Sequence, residues 1–161
     1  MATVYILIGL PGCGKSTWRE AHLRANPAVE TVIISSDDLV EEIARDKGIT
    51  YDDAHKLVDW KSATSRMRAM FRQALNKGHD VIVDRTNMSR KSRKMFLKDL
   101  PENYESVAVL FTVPDTILKQ RLAERAERTG KSIPDDVLES MASRYMAPDR
   151  EEFTRILRMN A

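Results

Sequence analysis

The sequence predicts an α/β fold: an open, doubly wound parallel sheet of four to five strands with helices on both faces. Two observations carry this. Four short apolar segments rich in β-branched residues are each followed by a helix-like stretch, and the first runs straight into a glycine-rich turn. Parallel strands alternating with helices need right-handed crossovers, which cover the sheet and leave the carboxyl ends of its strands as the place for a ligand. At 161 residues, 42% of them hydrophobic, the chain is expected to build one domain over 1–161 with a proper core and no room for a second.

Thr3 to Ile8 (TVYILI) has almost no polar interruption, as in a central strand covered on both sides. Glycines follow, and Lys15 to Ala25 reads as the first helix. Thr31 to Ser35 (TVIIS) is the second strand, followed by helices over Asp37 to Asp46 and Asp52 to Asn76. Asp80 to Asp84 (DVIVD) and Ser106 to Thr112 (SVAVLFT) supply the third and fourth strands, separated by a helix over Ser89 to Leu100. Pro114 to Arg128 and Pro134 to Ala147 read as the last helices, and Thr154 to Met159 as a weak fifth strand. Gly48, Gly78 and Gly130 mark turns; no repeat or linker interrupts the pattern.

Composition narrows the function. With 26 basic and 24 acidic residues the net charge is +2, so the chain is no polycation that coats nucleic acid indiscriminately. Charge is instead sorted by region. Arg85 to Lys98 holds six basic residues and no acid, while Asp37 to Asp53 holds seven acids against Arg45 and Lys47. The basic stretch reads equally as a solvated helix face or a phosphate-binding surface. A lone cysteine, Cys13, excludes an internal disulfide. No apolar run spans a membrane and no secretion signal opens the chain, so a cytoplasmic location and no membrane partner are expected. His22, His55 and His79 lack metal-ligand spacing and read as surface or structural residues.

Gly9-Leu10-Pro11-Gly12-Cys13-Gly14-Lys15-Ser16 satisfies G-x-x-x-x-G-K-[ST] between a strand and a helix that continues through Thr17. In such a phosphate loop, Gly9, Gly12 and Gly14 let the backbone wrap so that its N–H groups, with those of Cys13 to Thr17 and the positive end of the new helix, face a triphosphate. Lys15 would reach the β and γ phosphates, and Ser16 would ligate Mg2+. Cys13 reads as a small filler before it reads as a reactive thiol.

The second strand runs out into Ser35-Ser36-Asp37-Asp38. Asp37 is there a candidate general base for an acceptor hydroxyl; the plainer alternative is helix capping by Ser36 or Asp37, and both tasks are compatible. Asp84 closes the third strand, where a carboxylate supports the magnesium shell through water. Thr86 and Asn87 would bind acceptor phosphate or, with Ser89, cap the next helix. Arg121, Arg125 and Arg128 share one helix face, so residues 119–134 are expected to form a lid that closes on ATP, with a face salt-bridged to Glu124 and Glu127 as the alternative.

Taken together, GLPGCGKST, SSDDL, VIVDRTN, LKQRLAERAER, IPDDVLESM and PDREEFTRI resemble, in order and spacing, the kinase domain of bacteriophage and animal polynucleotide kinases over nearly the whole chain. The resemblance implies an adenylate-kinase-like P-loop NTPase fold with ATP and Mg2+ as co-substrates and a nucleic-acid hydroxyl as acceptor. It places Lys15 and Ser16 at the phosphates and metal, Asp37 as base, Arg121 and Arg125 on the donor, and Thr86 and Asn87 on the acceptor side. Two positions depart from it. Val40 stands where the phage enzyme has an arginine that contacts the acceptor, and Arg85 stands where it has an aspartate before the Thr-Asn pair, the carboxylate here being Asp84.

The acceptor expected first is a polynucleotide 5'-hydroxyl, with Arg85 and the basic stretch, and Arg66, Arg68 and Arg72, on its backbone. The related phage 5-hydroxymethyluracil DNA kinases share this architecture and act on a base, which must then be flipped or exposed. A nucleoside or other small-molecule kinase would use the same donor half, and a non-catalytic ATP-dependent nucleic-acid switch would bind without transfer.

Overall fold

A computed structural model describes residues 1–160. Five strands form one parallel sheet: β1 (Ala2–Ile8), β2 (Thr31–Ser35), β3 (Asp80–Asp84), β4 (Tyr104–Thr112) and β5 (Arg155–Asn160), in the spatial order β2-β3-β1-β4-β5. The chain leaves the central β1, lays down β2 and β3 on one side, then passes over β1 to place β4 and β5 on the other. All five carboxyl ends therefore share one edge.

Alternation along each strand divides the core between two faces. On one, Val4, Ile6, Ile8, Val81 and Val83 pack against Met67 and Phe71 of helix α4 (Trp60–Asn76) and Phe96 of α5 (Arg90–Leu97). On the other, Leu7, Ile82, Val107 and Val109 pack against Trp18 and Leu23 of α1 (Lys15–Ala25). Helices thus cover both faces, as the buried runs required. The remaining helices are α2 (Ser36–Lys47), α3 (Tyr51–Leu57), α6 (Asp115–Thr129) and α7 (Asp135–Ser143). No helix among the described residues is long and apolar enough to cross a membrane.

Two boundaries correct the sequence reading. The helix expected over Asp52 to Asn76 is two helices, because Val58 is extended and the Asp59 carboxylate accepts from the backbone N–H of Lys61 and Ser62 at 3.2 and 3.3 Å, starting a new helix. The weak fifth strand is a full edge strand paired from Val107↔Arg155 to Thr112↔Asn160; its exposed, polar face hid it in the sequence.

Candidate active site

The carboxyl edge of the sheet opens into a cleft of 1490 Å³. The phosphate loop forms its floor. Gly14 sits at φ +104°, a conformation that suits glycine, and the helix it starts has no side-chain cap, so the first N–H groups of α1 are left for an anion. Gly12, at φ +83°, lies under α6, where an added Cβ would stand 3.2 Å from Leu122. At Gly9 the same atom would fall 2.4 Å from the Cys13 sulfur. Gly9 therefore does not line the cleft: it donates its N–H to the Thr86 carbonyl at 3.1 Å and clamps the loop to the end of β3. Cys13 is buried, and burial pushes its thiol up, which fits the filler reading.

The Lys15 ammonium donates to the carbonyls of Gly9 at 2.6 Å and Leu10 at 3.3 Å. Desolvation lowers its pKa, a cost that bound phosphate would offset. Ser16 and Thr17 are exposed at the mouth of the loop.

Helix α2 is capped by Ser35, whose hydroxyl accepts from the Asp38 N–H at 3.2 Å, one residue earlier than the alternatives read from the sequence. Asp37 is thereby free of capping. It is exposed, accepts a 2.5 Å hydrogen bond from the Tyr51 hydroxyl on Oδ1, and stands 3.7 Å from the Arg125 guanidinium on Oδ2. Burial first, and then the neighbouring Asp37 charge and hydrogen bond, push the Tyr51 phenol far up, so it stays a donor.

Asp84 lies beside both Leu7 and Ser35 in the sheet register. It accepts from Arg19 at 2.9 Å, and Arg19 also reaches Asp38 at 3.3 Å. Burial raises the Asp84 pKa despite the charges of Lys15 and Arg19. No group of three or more His, Cys, Asp or Glu side chains could hold a metal among the described residues. A magnesium ion that takes most of its ligands from phosphate and water still fits here, since the Ser16 hydroxyl is exposed and the desolvated Asp84 carboxylate would gain from a cation.

The Thr-Asn pair divides. Thr86 lines the cleft, but Asn87 does not reach it. Asn87 is buried at φ +50° and donates to the carbonyls of Leu7, Val83 and Arg85, so it ties β1 to β3 instead of touching an acceptor. Arg85 does line the cleft: its Nε donates to Ser36 at 3.0 Å, while a buried Nη1 has no partner. The departure at Val40 is a change of role, because that side chain is fully buried in the core.

The basic stretch after Arg85 divides: Lys91, Lys94 and Lys98 are exposed, as a solvated helix face requires, whereas the two arginines are tied into the fold. Arg93 is fully buried, paired through two 2.9 Å bonds with Glu152 and capping the carbonyls of Asn87 and Met88 at 3.0 Å; Arg90 pairs with Asp149. Arg66 and Arg72 are exposed on α4, and neither they nor Arg68 line the cleft.

The α6 arginines do not pair with Glu124 or Glu127 among the described residues. Arg121 donates to the Gly12 carbonyl at 3.3 Å, Arg125 faces Asp37, and Arg128 lines the cleft. Beyond them Lys131 pairs with Glu41 and lies 4.7 Å from the Tyr51 ring centroid, and Ser132 donates to Asp52 at 2.9 Å. Sequence reasoning missed Arg19, Tyr51 and Lys131. It also set His55 aside, although that ring lines the cleft beside Trp60.

A family model described as AAA domain matches residues 4–148. The human heterogeneous nuclear ribonucleoprotein U-like protein 2 is 21% identical over 155 residues, 93% of this chain and 20% of that protein, so the chain spans about a fifth of the length of the curated relatives it matches. Among solved structures, a chain of the Pnkp1/Rnl/Hen1 RNA repair complex superposes with a TM-score of 0.71 at 25% identity, over 89% of this chain and 43% of that one. A sugar kinase from Janibacter sp. HTCC2649 gives 0.67 at 16% identity, over 99% and 86%. A gluconokinase from Sinorhizobium meliloti 1021 gives 0.57 at 18%, over 99% and 82%; these last two likenesses bear on the fold alone. The matched span takes in the phosphate loop, the strand-end carboxylates and the arginine helix, and the chain belongs to the AAA domain family.

Proposed function

We propose that this protein is a kinase that transfers the γ-phosphoryl group of ATP to a nucleic-acid hydroxyl, a polynucleotide 5'-hydroxyl in the first instance. The observation that carries the reading is Asp37: an exposed carboxylate on the same sheet edge as the phosphate loop, with one oxygen held by Tyr51. The acceptor hydroxyl would hydrogen-bond to that carboxylate and attack the γ phosphorus. The new O–P bond forms as the bond to the β–γ bridging oxygen breaks, the hydroxyl proton passes to Asp37, and ADP leaves. Lys15, the loop amides, Arg121 and Arg125 would hold the donor and meet the charge that spreads over the transferring group. Bound Mg2+, held by Ser16 and through water by Asp84, would supply further charge neutralisation on the phosphates. Residues 119–134 act in this reading as the lid, and 1–161 as one kinase domain.

A nucleic-acid acceptor is supported by the Arg85 side chain on the cleft wall, a cation suited to a phosphate, with Thr86 beside it. The likeness to the RNA repair complex points the same way. A sugar or other small-molecule acceptor is the second reading, favoured by the acid Asp52 on the cleft wall, which repels a polyanion.

Asp37→Ala is expected to keep ATP affinity within about twofold while transfer falls by about 10²- to 10⁴-fold, the usual contribution of a positioned base. The assay uses radiolabelled ATP with 5'-hydroxyl DNA, 5'-hydroxyl RNA, 5'-blocked DNA with and without 5-hydroxymethyluracil, and gluconate. Equal transfer by variant and parent removes Asp37 from the mechanism. Label on the 5'-blocked 5-hydroxymethyluracil strand, or on gluconate alone, replaces the 5' end as acceptor.

A further inference from the structure

Tyr51, His55 and Trp60 belong to no part of the phosphate-transfer machinery by sequence motif, yet they line the cleft in a row that begins at the base. Tyr51 hydrogen-bonds Asp37; the Tyr51 and His55 ring centroids are 6.2 Å apart, and those of His55 and Trp60 5.1 Å. The rings are tilted by 40° and 54°, so they form an angled wall and no closed stack. Trp60 is 36% exposed and packs into neither core cluster. Its place in the chain is set by the Asp59 cap, which starts α4 at that residue. The His55 imidazole is exposed as well, and the half-buried Tyr51 ring is fixed by its bond to Asp37 and by Lys131 over its face.

We propose that this wall is an acceptor subsite on which the nucleobase next to the phosphorylated hydroxyl stacks, with Trp60 as the residue it leans on. The inference deepens the nucleic-acid reading and rests on it. A base offers a flat π face whatever its identity, and exposed aromatic faces inside a charged cleft gain from covering such a face. Continuity selects the occupant. The wall begins at the carboxylate that would hold the acceptor hydroxyl, so a group leaning on it must be joined to that hydroxyl within the first nucleotides of a strand. Lys56, in the same cleft, offers a cation to the following phosphate against the repulsion of Asp52.

The test uses the full chain carrying Trp18→Phe, which leaves Trp60 as the one tryptophan of the two. A 5'-hydroxyl deoxytrinucleotide is titrated without ATP, alongside the same backbone with abasic sites. Quenching of Trp60 fluorescence is expected with the base-bearing strand, with affinity about fivefold or more above that of the abasic strand, the lower end of what base–aromatic stacking supplies. In transfer assays Trp60→Ala should raise the acceptor KM by the same factor with the KM for ATP unchanged, and Trp60→Phe should restore it. Absence of quenching, equal affinity for the abasic strand, or an acceptor KM indifferent to Trp60→Ala overturns the subsite. Base-dependent quenching without transfer to any nucleic acid would support the subsite and remove the transfer reading, so the two fail separately.

Discussion

Asp84 illustrates how the fold can work against the charge of a single side chain. Burial raises its pKa, and the charges of Lys15 and Arg19 offset only part of that. A carboxyl whose folded value lies above its unfolded value binds its proton more tightly in the native state. Its contribution to stability is therefore full below the unfolded value and is lost as pH rises through the folded one. Asp84→Asn should accordingly gain stability over the parent as pH rises from about 4 towards 7, read as a widening gap between urea midpoints of the ATP-free proteins. A gap that narrows over this interval would show that the ion pair with Arg19 outweighs burial. The same residue explains why Lys15 and Ser16 were readable from sequence while Arg19 was not. The loop motif has a fixed spacing, but the partner of Arg19 is 65 residues away.

Among the elements, the carboxyl-terminal segment has a larger task than its position suggests. Glu152 neutralises Arg93, which is buried in α5 and caps the carbonyls of Asn87 and Met88, so this ion pair anchors the loop that carries Arg85 and Thr86 into the cleft. Removing only the acid leaves a buried charge unpaired. Glu152→Ala should therefore cost about 3–5 kcal/mol in urea unfolding, whereas Arg93→Met with Glu152→Leu should recover much of the loss because neither charge remains. An equal loss in the double variant would mean that the capping bonds of Arg93, and no uncompensated charge, set the cost. The break between α3 and α4 is the other decisive element: a continuous helix would have carried Trp60 past Asp59 without the turn that presents it to the cleft.

At the scale of the whole molecule, three contacts cross from the far side of the cleft to α2 and α3: Arg125 to Asp37, Lys131 to Glu41 and Ser132 to Asp52. Each is polar and lies at the cleft, so each contributes little alone, about 0–1 kcal/mol for an exposed pair. On the proposed reading, a lid held by such contacts would close without being locked, as a cycle of ATP entry and ADP release needs. Glu41→Gln is expected to speed amide exchange across residues 129–134 by about two- to fivefold in the ATP-free protein, with the exchange of β1 unchanged. Unaltered exchange across 129–134 would show that this pair does not hold the segment down.

The sequence by itself determined the sheet, its buried strands and the phosphate loop, because these depend on local patterns: apolar runs, helix periodicity, and glycines at fixed spacing before a lysine and a serine. It also placed Asp37 and Asp84 at the functional edge, since a parallel sheet collects every strand end there. Tertiary structure decided what these carboxylates touch. Tyr51, Arg19 and Arg125 reach them from 14, 65 and about 90 residues away, separations over which no local pattern carries information. It also decided that Asn87 and Arg93, polar residues in a segment that reads as surface, are interior supports. A buried polar group is stable only where several partners converge on it, and that convergence exists only once the chain has folded.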